Sequence, residues 1–367
     1  MLRTYICGPT AEGIVVQRLR LSRGWLVAVT CLLAGCHSDG ADEAPLFARK
    51  ISITDRFYDV AAIDADTAIV VGYGGKILRT ADGGYTWDVI DSGSDKALYS
   101  VDFPDREHGW IAGQSGTLLH SSDGGKTWVK QQSPTPVYLF SIDMVNASEG
   151  WAVGDRATTL HTRDGGKTWQ AGKLTSTEGL TPEQAVLAED PVLYGVQFVD
   201  PATGWIVGEF GNIYFTADGG ATWKTQQESL VGEGMYDALD IPTFFGVHFL
   251  DASNGVAAAL EGRVARTRDG GKTWKYEEAA VKEPIVDPLL QPFQMPDTTG
   301  WAVGVAGEVL RQSTVGGAWE RASLGMEVPT WLRGIDWFDA QNGWIVGGYG
   351  LILHTTDGGK SWVPSLG

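Results

Sequence analysis

From residue 57 onward the chain alternates short apolar runs with turns in a steady rhythm. In the stretch 98–131, LYSVDF, GWIAGQ, TLLHSS and TWVKQ are four runs of strand length separated by Gly, Asp and Ser, the pattern of short strands joined by tight turns. The unit recurs with a closing tryptophan at Trp87, Trp128, Trp169, Trp223, Trp274, Trp319 and Trp362, seven copies spaced by 41 to 54 residues. No linker or shift in composition interrupts the array. Four strands per repeat at that period predict one all-β domain over 57–367, a seven-bladed β-propeller with four-stranded antiparallel blades, whose ring leaves only short outer edges.

Most repeats end in Ser/Thr-x-Asp-Gly-Gly-x-Thr/Ser-Trp, with aspartates at Asp82, Asp123, Asp164, Asp218, Asp269 and Asp357, each five residues before its tryptophan. An aspartate there can accept backbone N–H groups while the glycines take φ > 0 without a Cβ clash, so the motif predicts a structural hairpin lock. Each loop offers one carboxylate and lacks the spaced oxygen ligands of a calcium loop, and no metal site is expected. The sixth repeat, Thr314-Val315-Gly316-Gly317-Ala318-Trp319, loses the aspartate and, by count, one residue. Its turn is predicted to be the least regular.

Residues before the repeats read differently. Arg18, Arg20 and Arg23 precede an apolar stretch, 25–33, too short to span a bilayer. Leu33-Ala34-Gly35-Cys36 then resembles a lipobox. The expectation is a lipoprotein signal peptide over 1–35, lipidation at Cys36, and a tether over 36–56. The strand-like run 46–53 within that tether is expected to pair with or cover the outer edge of blade seven. The protein is thus expected to be exported and lipid-anchored on the periplasmic side. His37 after the cysteine points to the outer membrane of a diderm, or to the thylakoid lumen side in a photosynthetic host. Cys7, Cys31 and Cys36 all lie in or at the end of this leader, so no disulfide framework is expected.

Removing the leader leaves 24 basic against 44 acidic residues, a formal charge of −20. A surface that acidic does not neutralise phosphates, which excludes nucleic acid as a partner.

The turns resemble Asp-boxes, found in sialidases and several other propellers. The longer pattern G-W-x-x-G, then T-x-D-G-G-x-T-W, is similar to the photosystem II stability/assembly factor family. It is carried by Gly109-Trp110-Ile111-Ala112-Gly113, Gly150-Trp151-Ala152-Val153-Gly154, Gly204-Trp205-Ile206-Val207-Gly208, Gly300-Trp301-Ala302-Val303-Gly304 and Gly343-Trp344-Ile345-Val346-Gly347. The resemblance implies a non-enzymatic exported scaffold, without a cofactor, that binds a membrane protein or complex, a photosystem II subunit if the host is photosynthetic. A monomer is expected.

The alternatives are a sialidase-like glycoside hydrolase and a small-ligand or glycan-binding propeller. Sialidases carry an Arg-Ile-Pro signature where this chain reads Ala48-Arg49-Lys50-Ile51-Ser52, and they use six blades. Neither a P-loop nor a G-x-S-x-G elbow occurs. The histidines show no metal-ligand spacing, and His120, His161 and His354 share one repeat position, which favours a structural role.

In four-stranded blades, alternate connections emerge on opposite faces. The Asp-boxes share one face with the turns between strands one and two. The other, the link face, carries the turns between strands two and three and the inter-blade links, enlarged at 175–191, 230–242 and 278–288. Long loops on a rigid scaffold are where function tends to sit. The expected partner-binding residues are therefore Tyr73, Arg156, Phe210, Arg263, Trp331, Arg333 and Tyr349 on that face, with the client docking across blades three to six.

Overall fold

A computed structural model describes residues 50–174, 190–231, 242–296, 300–314 and 317–365, together with the strands Val16–Leu21 and Gly24–Val29. Those two strands pair antiparallel within a first unit, Met1–Ala48. The processing site and Cys36 lie outside the described residues, as do positions 175–189 and 232–241 of the first two enlarged links.

The second unit, Arg49–Gly367, holds seven four-stranded antiparallel sheets. Blade one is built from Phe57–Ala62, Thr67–Gly72, Ile77–Ala81 and Asp88–Ile90. Blade seven is built from Leu332–Trp337, Gly343–Gly347, Ile352–Thr355 and Val363–Pro364. The first strands of successive blades stand side by side around a central channel, and the ring closes where Leu332–Trp337 meets Phe57–Ala62. The predicted propeller is therefore the observed fold. Each second strand is buried along its whole length, whereas outer strands such as Val129–Lys130 and Gln170–Lys173 are exposed.

Aromatic side chains bind neighbouring blades. Trp205 of blade four lies against Phe249 of blade five at 3.5 Å and 11°, and Phe249 meets the Asp-box tryptophan Trp274 edge-on at 5.8 Å. Trp151, Phe198 and Trp223 repeat the arrangement one blade earlier. Such pairs add to the gain from burying large rings. The histidines of the third strands stack on these tryptophans, His161 on Trp151 at 4.4 Å and His354 on Trp344 at 3.8 Å, which gives their shared position its structural reason.

In the Asp-boxes one carboxylate oxygen accepts a backbone N–H and the other a hydroxyl. Asp82 takes the Thr86 N–H at 2.9 Å and the Thr86 hydroxyl at 2.6 Å, while Thr80 Oγ1 accepts the Gly84 N–H. These bonds hold the box carboxylates below the usual range, Asp218 and Asp357 at about 2.

Blade six departs from this scheme in composition rather than length. Gln312 stands at the register held by Thr355 in blade seven, and each is seven residues from its tryptophan, so no residue is missing. At the same interface Val256 replaces the G-W tryptophan and Gln294 replaces the aromatic residue. A buried polar network fills the space. Arg266 donates to Glu277 at 2.6 Å, to Gln294 at 2.9 Å and to Gln312 at 2.5 Å, and Trp319 Nε1 donates to Glu277 at 2.9 Å. Losing two members of the aromatic triad and gaining a buried ion-pair network around the third, Trp319, are one compensated change.

The run expected as a closing strand, 46–53, is described from Lys50, and that part is turn and bend. Ile51 is buried among Phe57, Trp344 and Ile352, and the Gly350 N–H donates to the Asp55 carbonyl. Residues 50–55 thus occupy the place that a link fills between other blades. Blade seven already has its fourth strand from Val363–Pro364, which leaves this segment the inter-blade groove instead of the outer edge.

Candidate functional site

The first strands carry the site. Each shows a register shift after its first residue, between Phe57 and Asp59, Leu98 and Ser100, and at the same point in the other five. The residue passed over at each bulge is Tyr58, Tyr99, Phe140, Tyr194, Phe245, Leu290 or Arg333, and all seven line the channel. A bulge re-aims one side chain without ending the strand. Five of the seven are aromatic, with neighbouring centroids 5.1 to 5.5 Å apart, and Trp331 stacks on Tyr58 at 5.6 Å and 9°. An aromatic collar therefore rings the link-face mouth of a cavity of about 370 Å³. Sequence reasoning missed this collar. Its signal was the aromatic residue recurring second in five of the seven first strands, masked because that position reads as ordinary alternation.

Deeper in the channel the polar residues of the first strands are bonded. The inner edge of each blade would leave N–H groups unpaired. The preceding blade supplies the acceptors. Asp102 accepts the Met144 N–H at 2.8 Å, Asp143 the Phe198 N–H at 2.9 Å, and Gln197 the Phe249 N–H at 2.5 Å. His248 Nδ1 lies 3.2 Å from the Gln294 nitrogen, and Asp336 accepts the Ala62 N–H at 2.7 Å. A second tier joins Asp59 to Val101, Ser100 to Ile142 and Ser141 to Val196.

Burial raises these carboxyls, Asp59 and Asp102 to about 7 and Asp336 to about 6. Asp143 rises well above its ordinary value through burial and the nearby Asp102. Burial lowers His248 to about 4, which keeps the imidazole neutral and able to accept the Gln294 N–H.

The predicted partner-binding residues fall into two groups. Tyr73, Phe210 and Tyr349 are exposed by 60%, 54% and 61% at the tips of the turns between strands two and three. Arg156 projects from the equivalent tip of blade three, its side chain largely open. Phe210, Tyr349, Arg156 and Glu261 all hold φ of 55 to 58°, a left-handed backbone that costs a non-glycine residue about 1 kcal/mol. Glycine takes this place in blade one at Gly74. Arg263 is committed locally, paired with Glu261 at 2.9 Å and placed over the Tyr276 ring at 5.3 Å.

The other two residues belong to the channel mouth. Trp331 is half-buried against Tyr58 instead of standing exposed. Arg333, expected on the rim through the final link, is the bulge residue of blade seven. Its guanidinium lies 5.5 Å from the Tyr58 ring centroid and 5.7 Å from that of Tyr99.

The face assignment follows from the turn bonds. Gly124 of an Asp-box donates to Glu107 in the strand one to two turn, whereas Tyr73 at a tip donates to Arg56 just before the first strand. Tips, links and collar share one face.

Among the described residues no cluster of His, Cys, Asp and Glu has metal-binding geometry, and no helix is long and apolar enough to cross a membrane.

Comparison with known proteins agrees with this architecture. The model of the family described as photosynthesis system II assembly factor YCF48 matches residues 41–133, 127–183, 233–336 and 293–365. A photosystem II assembly lipoprotein Ycf48 from Synechococcus sp. (strain CC9902) is 40% identical over 83 residues, 22% of this chain and 24% of that relative. The chain thus matches about a quarter of the relative's length. Among solved structures, YCF48 bound to a D1 peptide aligns at a TM-score of 0.64 and 20% identity, covering 83% of this chain and 93% of that one. YCF48 from Cyanidioschyzon merolae gives 0.64 and 19%, covering 83% and 96%. At these identities the structural likeness speaks for the fold, and the family match, spread over most of the chain, shows that this protein belongs to the photosystem II assembly factor YCF48 family.

Proposed function

We propose that this protein is an exported, lipid-anchored assembly factor that holds a segment of a photosystem II subunit against its link face. The observation carrying this is the gathering of exposed apolar side chains there. Of the nine large apolar side chains more than half exposed among the described residues, five, Ile53, Tyr73, Phe210, Val286 and Tyr349, stand on the tips and links of this face. Large exposed apolar groups rimmed by polar residues mark interaction sites, and tyrosine, phenylalanine and arginine are favoured in interface cores. The tip backbone is left-handed in every blade, at Ser115 and Ala306 as at Phe210 and Tyr349, so the turn itself belongs to the scaffold and the large side chains set on it at Phe210 and Tyr349 support the reading.

A relative in the same family is a lipoprotein, and a solved YCF48 is bound to a D1 peptide; both agree with this reading. The channel acids weigh against hydrolysis. Asp59, Asp102, Asp143 and Asp336 each accept a backbone N–H that joins blades, so a substrate that drew any of them out of place would also unpair the ring. The test is co-purification from detergent-solubilised membranes. Recovery of a photosystem II reaction-centre subunit, lost on combining Phe210→Ala, Tyr349→Ala and Arg156→Glu, is expected; recovery unaffected by these changes would contradict the link-face assignment.

A further inference from the structure

We propose that the channel mouth is a binding site for a small carboxylate on a flat or apolar body, with Arg333 taking the carboxylate. The site differs from the docking surface above, since it uses the cavity and not the turn tips.

Arg333 lies deep in the protein but keeps part of its surface open to the channel. Among the described residues its guanidinium donates no hydrogen bond; its contacts are the faces of Tyr58 and Tyr99. A buried guanidinium is costly unless its fork of donors meets a carboxylate or comparable acceptors. The other buried arginine shows what that looks like, for Arg266 bonds Glu277, Gln294 and Gln312 at once. The strongest opposite charge felt by Arg333 is Asp59. That carboxylate already accepts the Val60 N–H on one oxygen and the Val101 N–H on the other. The fork at the mouth is thus left for a group from outside.

The surroundings define the rest of the ligand. A cavity of about 370 Å³ falls within the size range of small-molecule sites. Its upper wall is the collar, where flat rings present faces and edges 5 to 6 Å apart. A planar or apolar body packs there while its carboxylate reaches the guanidinium, the bidentate geometry for which arginine is suited.

Isothermal titration of the purified protein with phenylacetate and with phenylacetamide tests this directly. Phenylacetate is expected to bind, and the amide, equal in shape but uncharged, at least about tenfold more weakly. Arg333→Met should remove phenylacetate binding, and Arg333→Lys should retain part of it. A tripeptide ending in phenylalanine, as free acid and as C-terminal amide, separates the two sources of such a group. Tighter binding of the peptide acid than of phenylacetate assigns a chain terminus, and the reverse assigns a free acid. Equal binding of acid and amide, no binding of either at millimolar concentration, or phenylacetate binding unchanged in Arg333→Met would overturn the proposal. Should that variant fail to fold, the contrast between acid and amide on the unaltered protein decides alone.

Discussion

The carboxylate of Asp336 in blade seven accepts the backbone N–H of Ala62 in blade one at 2.7 Å, across 274 positions of sequence. The ring is therefore sealed by the same kind of bond that joins its interior blades. Asp336 also accepts the Trp337 N–H at 2.8 Å, serving a position that Phe293 of blade six cannot cap.

Asp336→Ala should accordingly unpair two backbone donors next to the closure. Leaving a buried donor unsatisfied costs about 1–3 kcal/mol, and a domain of this size loses roughly 2–4 °C of Tm per kcal/mol. A drop of several degrees in a thermal melt is expected, with Asp336→Asn, which keeps one acceptor oxygen, falling in between. An unchanged Tm for the alanine variant would deny the bond a part in closure.

The channel acids make stability fall as pH rises. Asp59 and Asp102 titrate near 7 and Asp336 near 6 in the folded protein, above about 4 for an unfolded aspartate. Between these values the folded state holds more protons than the unfolded one, so their contribution is fully present below about pH 4 and lost as pH climbs through 6 to 7. The Asp-box acids run the other way. Asp218 and Asp357 titrate near 2, and their contribution is lost as pH falls from about 4 through 2. Melts across the pH range should show greatest stability on the acid side of neutrality, with Asp102→Asn flattening the decline between pH 5 and 8. A Tm that climbs steadily from pH 5 to 8 would contradict this.

The network between blades five and six should behave as a unit. Removing one partner of a buried ion pair costs about 3–5 kcal/mol because it strands the other charge. Arg266→Met and Glu277→Gln are each expected to lower Tm strongly, and the double variant by much less than their sum. Additive losses in that cycle would show the two residues to be independent.

The tips offer a separation of stability from binding. Because Phe210 and Tyr349 hold left-handed backbone, glycine at either position relieves strain while adding freedom to the unfolded chain. Phe210→Gly and Tyr349→Gly should leave Tm level or slightly raised and still weaken the partner complex. A clear loss of stability in both would mean that these side chains serve the fold.

How much was legible in sequence depended on whether a feature repeats as text or only as register. Blades and Asp-boxes repeat as text, with Asp123-Gly124-Gly125 and Asp164-Gly165-Gly166 nearly superimposable, and were readable directly. The inter-blade caps repeat only as register. Asp102, Asp143, Gln197, His248 and Asp336 share one strand position with unlike side chains united by their capacity to accept, so no motif search joins them. Arg333, expected in the final link, is the second residue of Leu332–Trp337, because the bulge that turns it into the channel is a property of pairing with Gly343–Gly347. The sixth turn seemed short because its glycines were aligned in place of its register.

The central claim is that the link face, not the Asp-box face, holds the client, and titration with a D1 peptide tests it most directly. Affinity measured by isothermal titration should fall at least about tenfold in the Phe210→Ala, Tyr349→Ala variant, as loss of aromatic interface anchors commonly costs more than 1 kcal/mol each. Lys126→Glu with Lys167→Glu, on the Asp-box turns, should leave it unchanged. Loss of binding in the lysine variant, with the tip variant unaffected, would contradict the account.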